Sequence, residues 1–183
     1  MSVICPYCGK ENTSSFRDKK LKTTGYECLD CHRDFGVDDG KKLEEYQASL
    51  TDFFFSYTDK TGFTKQVKIH HGNGVTTLSV STIDGKGLRQ PYEPRDITPI
   101  FDELKTILFK KVFLLDWERN LVGLLLPSGN EKYEIKLSYG GTLFPDRIFK
   151  GVNRFPPYLK ALRRIFDGFF PKEDKGEKDG GSH

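Results

Sequence analysis

The sequence predicts an α+β fold: a small N-terminal β module, then an antiparallel sheet with two helices packed on one face. Three observations carry this. All four cysteines fall within the first 31 residues, as Cys5-Pro-Tyr-Cys8 and Cys28-Leu-Asp-Cys31. A series of short aromatic or alternating segments follows, separated by Gly, Asn and Asp turns. Two amphipathic segments then open on prolines, Pro99 and Pro156-Pro157.

The cysteine pairs are the one sharp chemical signal. Two intervening residues let a tight turn aim both sulfurs at one ion, and two such turns supply the four soft ligands of tetrahedral zinc. Pro6 presets a turn dihedral, and Gly9 sits where positive φ is often needed. With Cys5, Cys8, Cys28 and Cys31 all engaged, no position remains for substrate, so the expected Zn²⁺ is structural. A redox dithiol pair or an iron–sulfur site uses the same residues and stays open on spacing alone. Disulfides are not expected, because no signal peptide is evident and the cytoplasm keeps thiols reduced.

These residues resemble a zinc ribbon over about residues 3–37. The resemblance implies Cys5, Cys8, Cys28 and Cys31 as ligands. His32 departs from the commonest form, in which glycine is frequent there, and reads as a turn residue rather than a fifth ligand. Ribbons serve many ends, so the likeness fixes no single function.

The chain divides into the ribbon (1–40), an α+β domain (41–171) and a charged, Gly-rich tail (172–183) expected to be disordered. The 183 residues carry a net charge of only +3, with 13% aromatic residues. Residues 43–150 hold 14 basic and 14 acidic side chains. No region carries the basic block of a strong phosphate binder. Arg17-Asp-Lys-Lys-Leu-Lys22 is a modest patch on a ribbon loop and reads as solvated. No apolar run reaches 18 residues, so no membrane span is expected, and a cytoplasmic location follows.

Within the α+β part, Leu43, Tyr46 and Leu50 repeat at helical spacing. Thr51–Thr58, with Phe53, Phe54, Phe55 and Tyr57, predicts a buried strand. Thr64–His70 and Val75–Ser81 flank the hairpin turn His71-Gly-Asn-Gly74. Asp84–Gly87, Pro91 and Pro94 mark an irregular connection. Thr98 is expected to cap a helix with Pro99 at its first position, and Ile100, Phe101, Leu104, Ile107 and Leu108 form its apolar stripe. Val112–Asp116 predicts a strand, and the apolar run Leu121–Leu126 predicts another, buried on both sides. In Glu131–Tyr139, Tyr133, Ile135, Leu137 and Tyr139 alternate inward. Arg147–Lys150 predicts a short edge strand. The last helix places Leu159, Leu162, Ile165, Phe166 and Phe169 on its core face. The two helical segments echo one another, which suggests two units of strand hairpin followed by helix. The second unit, Glu131–Phe170 with Gly151-Val-Asn-Arg-Phe-Pro156, is similar to small bacterial domains of unknown function, a likeness that brings no activity.

The leading functional expectation is a non-enzymatic, zinc-binding interaction protein whose ribbon meets a protein or nucleic-acid partner. The alternative is a Mg²⁺-dependent nuclease, because Glu134-Ile-Lys136 resembles the Glu-x-Lys of restriction-endonuclease-type enzymes, with Asp116 as upstream acid. A third is a redox switch at the cysteines. His70 and His71 point to opposite sheet faces and do not predict one site. Trp117 reads as a packed rim residue.

Overall fold

The computed structural model describes residues 3–18 and 23–171, which include two sheets and three α-helices. The predicted tail and most of the Arg17–Lys22 patch lie outside them.

The first sheet is β1 (Thr13–Asp18), β2 (Thr23–Cys28) and β3 (Asp34–Gly36), antiparallel throughout. It carries the cysteines near its end, and Tyr26 stacks on Phe35 across β2 and β3. Helix α1 (Asp39–Ser49) leads from it into the large sheet and buries Leu43.

The large sheet begins with β4 (Leu50–Thr58), β5 (Thr64–Gly72) and β6 (Val75–Ile83). The short strands β7 (Arg89–Pro91) and β8 (Arg95–Asp96) both pair with β6. β9 (Asn120–Val122), β10 (Lys132–Tyr139) and β11 (Arg147–Val152) complete it. The order is β7-β6-β5-β4-β10-β11-β9, antiparallel except where β9 runs parallel to β11. The two hairpins β4–β5 and β10–β11 therefore lie back to back about the β4–β10 pair.

Period-two alternation gives the sheet one dry face. Phe53, Phe55, Tyr57, Val67, Ile69, Leu78, Val80, Tyr133, Ile135, Leu137 and Phe149 are buried on it. Helix α3 (Leu159–Asp167) covers it with Leu159, Leu162 and Phe166, and the Phe166 ring stacks on Phe53 and Phe55. A second helical segment joins the same core. It opens as a 3₁₀ turn at Thr98–Ile100, continues as α2 (Phe101–Thr106), and closes in a π turn at Ile107–Lys111. The π turn lets consecutive residues Leu108 and Phe109, and then Val112, all reach the core.

The hairpin between β5 and β6 turns on Asn73 and Gly74, both at positive φ (52° and 77°), as a two-residue turn with matching twist requires. Gly151 is fixed by packing instead: a Cβ there would collide with the Tyr133 ring lying across it.

Several expectations are corrected. Thr98 does not cap the helix; its hydroxyl donates to Asp96 and accepts from the Thr76 amide, joining the helix start to β6. Ile100 is exposed. Val112–Asp116 is not a strand: Phe113 takes a left-handed conformation (φ 51°), and Leu114–Asp116 is a 3₁₀ turn. Only three residues of the 120–126 region pair as β9, and Leu124 and Leu125 are 80% and 63% exposed. β11 is internal, because β9 takes its outer edge.

Candidate metal centre and the residues around it

Two turns of the same construction build the cysteine cluster. In the first, the Cys5 amide donates to Lys10 O (2.8 Å) and the Gly9 amide to Cys5 O (2.9 Å). In the second, the Cys28 amide donates to Arg33 O (2.9 Å) and the His32 amide to Cys28 O (2.8 Å). Gly9 and His32 are thus equivalent, and both take positive φ, 74° and 53°. The geometry makes His32 a turn residue, as its place in the sequence suggests.

The four sulfurs converge. All lie within 4.8 Å of one another, with Cys5–Cys31 at 3.7 Å and Cys8–Cys28 at 3.5 Å. A tetrahedron with zinc–sulfur bonds of about 2.3 Å has sulfur–sulfur edges of about 3.8 Å. The donor set and the two closest sulfur pairs fit a zinc ion. Cys5 and Cys28 are buried, while Cys8 is at the surface.

Charge is unevenly held among the metal-free thiols. Burial opposes ionisation of Cys28, but the backbone amides of Cys31 and Asp30 and the neighbouring thiols outweigh it, and its pKa falls to about 7. Burial and the three other sulfurs push Cys31 up to about 12. Cys8 is also raised, by burial first, against an amide donated by Lys10. A bound dication would hold all four as thiolates.

Both turns also touch the large sheet's core. Tyr7, between Cys5 and Cys8, meets Phe113 edge-on, with centroids 5.6 Å apart. Arg33, two residues after Cys31, lies over the rings of both Phe113 (3.6 Å) and Tyr7 (4.6 Å) and forms an ion pair with Asp116. Phe113 has a left-handed backbone at this contact, and Tyr158 also meets its ring edge-on, with centroids 5.2 Å apart.

The nuclease residues are not brought together. Asp116 binds Arg33 beside the segment whose Leu114 and Trp117 enter the dry core. Glu134 lies on the opposite, open face of the sheet and pairs with Lys150 (3.1 Å) and Lys136 (3.3 Å). Those lysines hold its carboxyl below the usual range despite its partial burial.

His70 and His71 also part as expected. His70 Nδ1 is 2.7 Å from Asp52 Oδ1 on the open face, a pairing the sequence did not reveal. His71 turns inward, stacks on Phe101 and bonds Thr76 Oγ1 at 2.8 Å. Trp117 packs edge-on against Tyr133, and its Nε1 donates to Val112 O (2.8 Å).

No protein-family model, curated protein or solved structure matches the chain. The class defined by the fold and the site is therefore an α+β protein with an N-terminal, ribbon-like sheet bearing a four-cysteine cluster that could hold a metal ion such as zinc. Among the described residues no helix is long and apolar enough to cross a membrane.

Proposed function

We propose that this is a zinc-ribbon protein that binds partners without performing chemistry, its Zn²⁺ held structurally by Cys5, Cys8, Cys28 and Cys31. The carrying observation is the closed sulfur shell: four cysteines at tetrahedral spacing leave no ligand position for water or substrate. The metal's role is to fix two turns whose side chains, Tyr7 and Arg33, lock the ribbon against Phe113 and Asp116. A ribbon held this way is a rigid support rather than a tethered appendage. Its exposed apolar side chains, Ile4, Phe16, Leu29 and Val37, support a protein partner at that end. Four cysteines that serve as zinc-bound thiolates suit the reducing cytoplasm as the place of action.

X-ray absorption at the zinc edge tests this on protein purified under reducing conditions. One zinc per chain with four sulfur neighbours is expected. A shell containing an oxygen ligand would overturn the structural role. Plasmid cleavage in Mg²⁺ that disappears in Glu134→Ala would overturn the non-enzymatic part.

A further inference from the structure

The sheet's second face is open, and it forms a trough. One cavity of about 540 Å³ is lined by Asp52, Phe54, Lys68, His70, Arg89 and Lys136 among others. A second, of about 400 Å³, adjoins it and shares Gln66, Lys68 and Arg89, with Tyr92 and Glu93 on its wall. Together they run across the strands from β10 to β7.

The floor is set by register. Ser79 of β6 faces Lys68 of β5, Lys68 faces Phe54 of β4, Phe54 faces Lys136 of β10, and Lys136 faces Ile148 of β11. Phe54 lies between the buried Phe53 and Phe55, so its ring belongs to the open face. The row therefore places an aromatic ring on a central strand with a lysine on each neighbour. Lys136 Nζ lies 5.3 Å from the Phe54 centroid. Five strands at about 4.8 Å spacing make the row about 19 Å long.

The charges on this face are sorted. Asp52 is tied to His70 and Glu134 to Lys136 and Lys150, while Glu93 stands on the outer wall. Lys68 and Arg89, shared by both cavities, make no salt bridge among the described residues. Residues 43–150 are neutral as a whole, yet strand alternation puts Lys68 of β5 and Arg89 of the edge strand β7 on this one face.

From this juxtaposition we infer that the open face binds single-stranded nucleic acid. A base stacks on Phe54, and the flanking phosphates meet Lys68 and Arg89, the trough cations without a carboxylate partner among the described residues. An open sheet with an aromatic floor and flanking cations suits an unpaired strand, whose bases can splay and stack, whereas a duplex keeps its bases covered. The inference stands apart from the zinc reading, since no cysteine contributes to the trough.

Fluorescence anisotropy of the full, zinc-loaded chain with labelled 12-mers of oligothymidylate and oligouridylate tests it. A 12-base-pair duplex and a polyglutamate peptide serve as competitors. Saturable binding to the single strands is expected, with neither competitor displacing them at equal concentration. Two phosphate contacts give a slope of about −1.4 in log K against log salt. Lys68→Ala and Arg89→Ala each reduce that slope by about 0.7. Phe54→Ala weakens binding about 5- to 150-fold with the slope kept. Lys68 and Arg89 are exposed, so their variants retain the fold and keep the test decisive. Absence of binding at 50 mM salt, displacement by duplex or polyglutamate, or unchanged affinity in Lys68→Ala and Arg89→Ala would each overturn the inference.

Discussion

Arg33 forms an ion pair with Asp116 while its guanidinium lies 3.6 Å from the centre of the Phe113 ring. One side chain thus ties a cysteine turn to the core of the large sheet, by charge and by stacking together. The two contributions differ in weight. Asp116 is about half exposed, so its ion pair is screened and stabilises by less than about 1 kcal/mol. The stacked, partly desolvated guanidinium stabilises by about 1–2 kcal/mol. Arg33→Lys, which keeps the charge but loses the planar fork, should therefore cost more than Asp116→Asn. Urea denaturation of the zinc-loaded variants measures both; a larger loss in Asp116→Asn than in Arg33→Lys would show that the ion pair dominates.

Zinc binding should release protons steeply with pH. Cys8 and Cys31 lie above the ordinary thiol range in the metal-free site, and Cys28 near 7. Raised thiols are protonated at neutral pH and must lose those protons to become ligands. At least two protons leave per zinc, so the apparent affinity should fall about 100-fold or more for each unit of acidification from pH 8 to 6. The sign follows from the raised groups: they favour the metal-free protein as pH drops. Competition with a chromogenic chelator across that range gives the slope, and a slope below one would contradict the raised Cys8 and Cys31.

His32 holds a left-handed backbone in the place where the first turn has Gly9. A side chain there strains the backbone by about 1–2 kcal/mol, and glycine relieves it at some entropic expense. His32→Gly should raise stability by up to about 1 kcal/mol and keep one zinc per chain. His32→Val, β-branched at positive φ, should lower stability by about 1–2 kcal/mol. Thermal melts with metal analysis check both, and loss of zinc from His32→Gly would assign the imidazole to the ion.

What the sequence discloses and what it hides divide along the range of the forces involved. The cysteine turns, the Asn73-Gly74 hairpin and the alternation of Tyr133, Ile135, Leu137 and Tyr139 are local, so spacing alone reveals them. Leu121–Leu126 misleads because its end is set by a distant contact. Gly123 lies so close to the Asn153 carbonyl that a Cβ would clash, and the chain leaves the sheet there with Leu124 and Leu125 exposed. The Val112–Asp116 segment turns because Phe113 is claimed by Arg33 and Tyr7, partners far upstream. The open trough is hidden for the same reason: Lys68, Arg89 and Lys136 meet only through strand register.

Asn153, the third residue of Gly151-Val-Asn-Arg-Phe-Pro156, is where that distant contact can be tested. Its Oδ1 accepts from the Glu131 amide (2.9 Å), and its Nδ2 donates to Leu124 O (2.7 Å) and to Asn130 Oδ1. Asn130 in turn accepts from the Leu126 amide (2.8 Å), so two amides close the loop between β9 and β10. Asn153 does this from positive φ (52°), a conformation asparagine tolerates better than most residues. Asn153→Ala removes three hydrogen bonds and strains the backbone, and should cost about 2–4 kcal/mol. Asn153→Gly keeps the backbone but loses the same bonds, and should recover about 1 kcal/mol of that loss. Asn153→Asp keeps the bond from Glu131 but sets a carboxylate against the Leu124 and Asn130 oxygens, so its deficit should shrink as acid protonates it. Urea denaturation at pH 7 and pH 4 separates the three, and an Asn153→Gly variant no better than Asn153→Ala would show that the hydrogen bonds, not the backbone, set the loop.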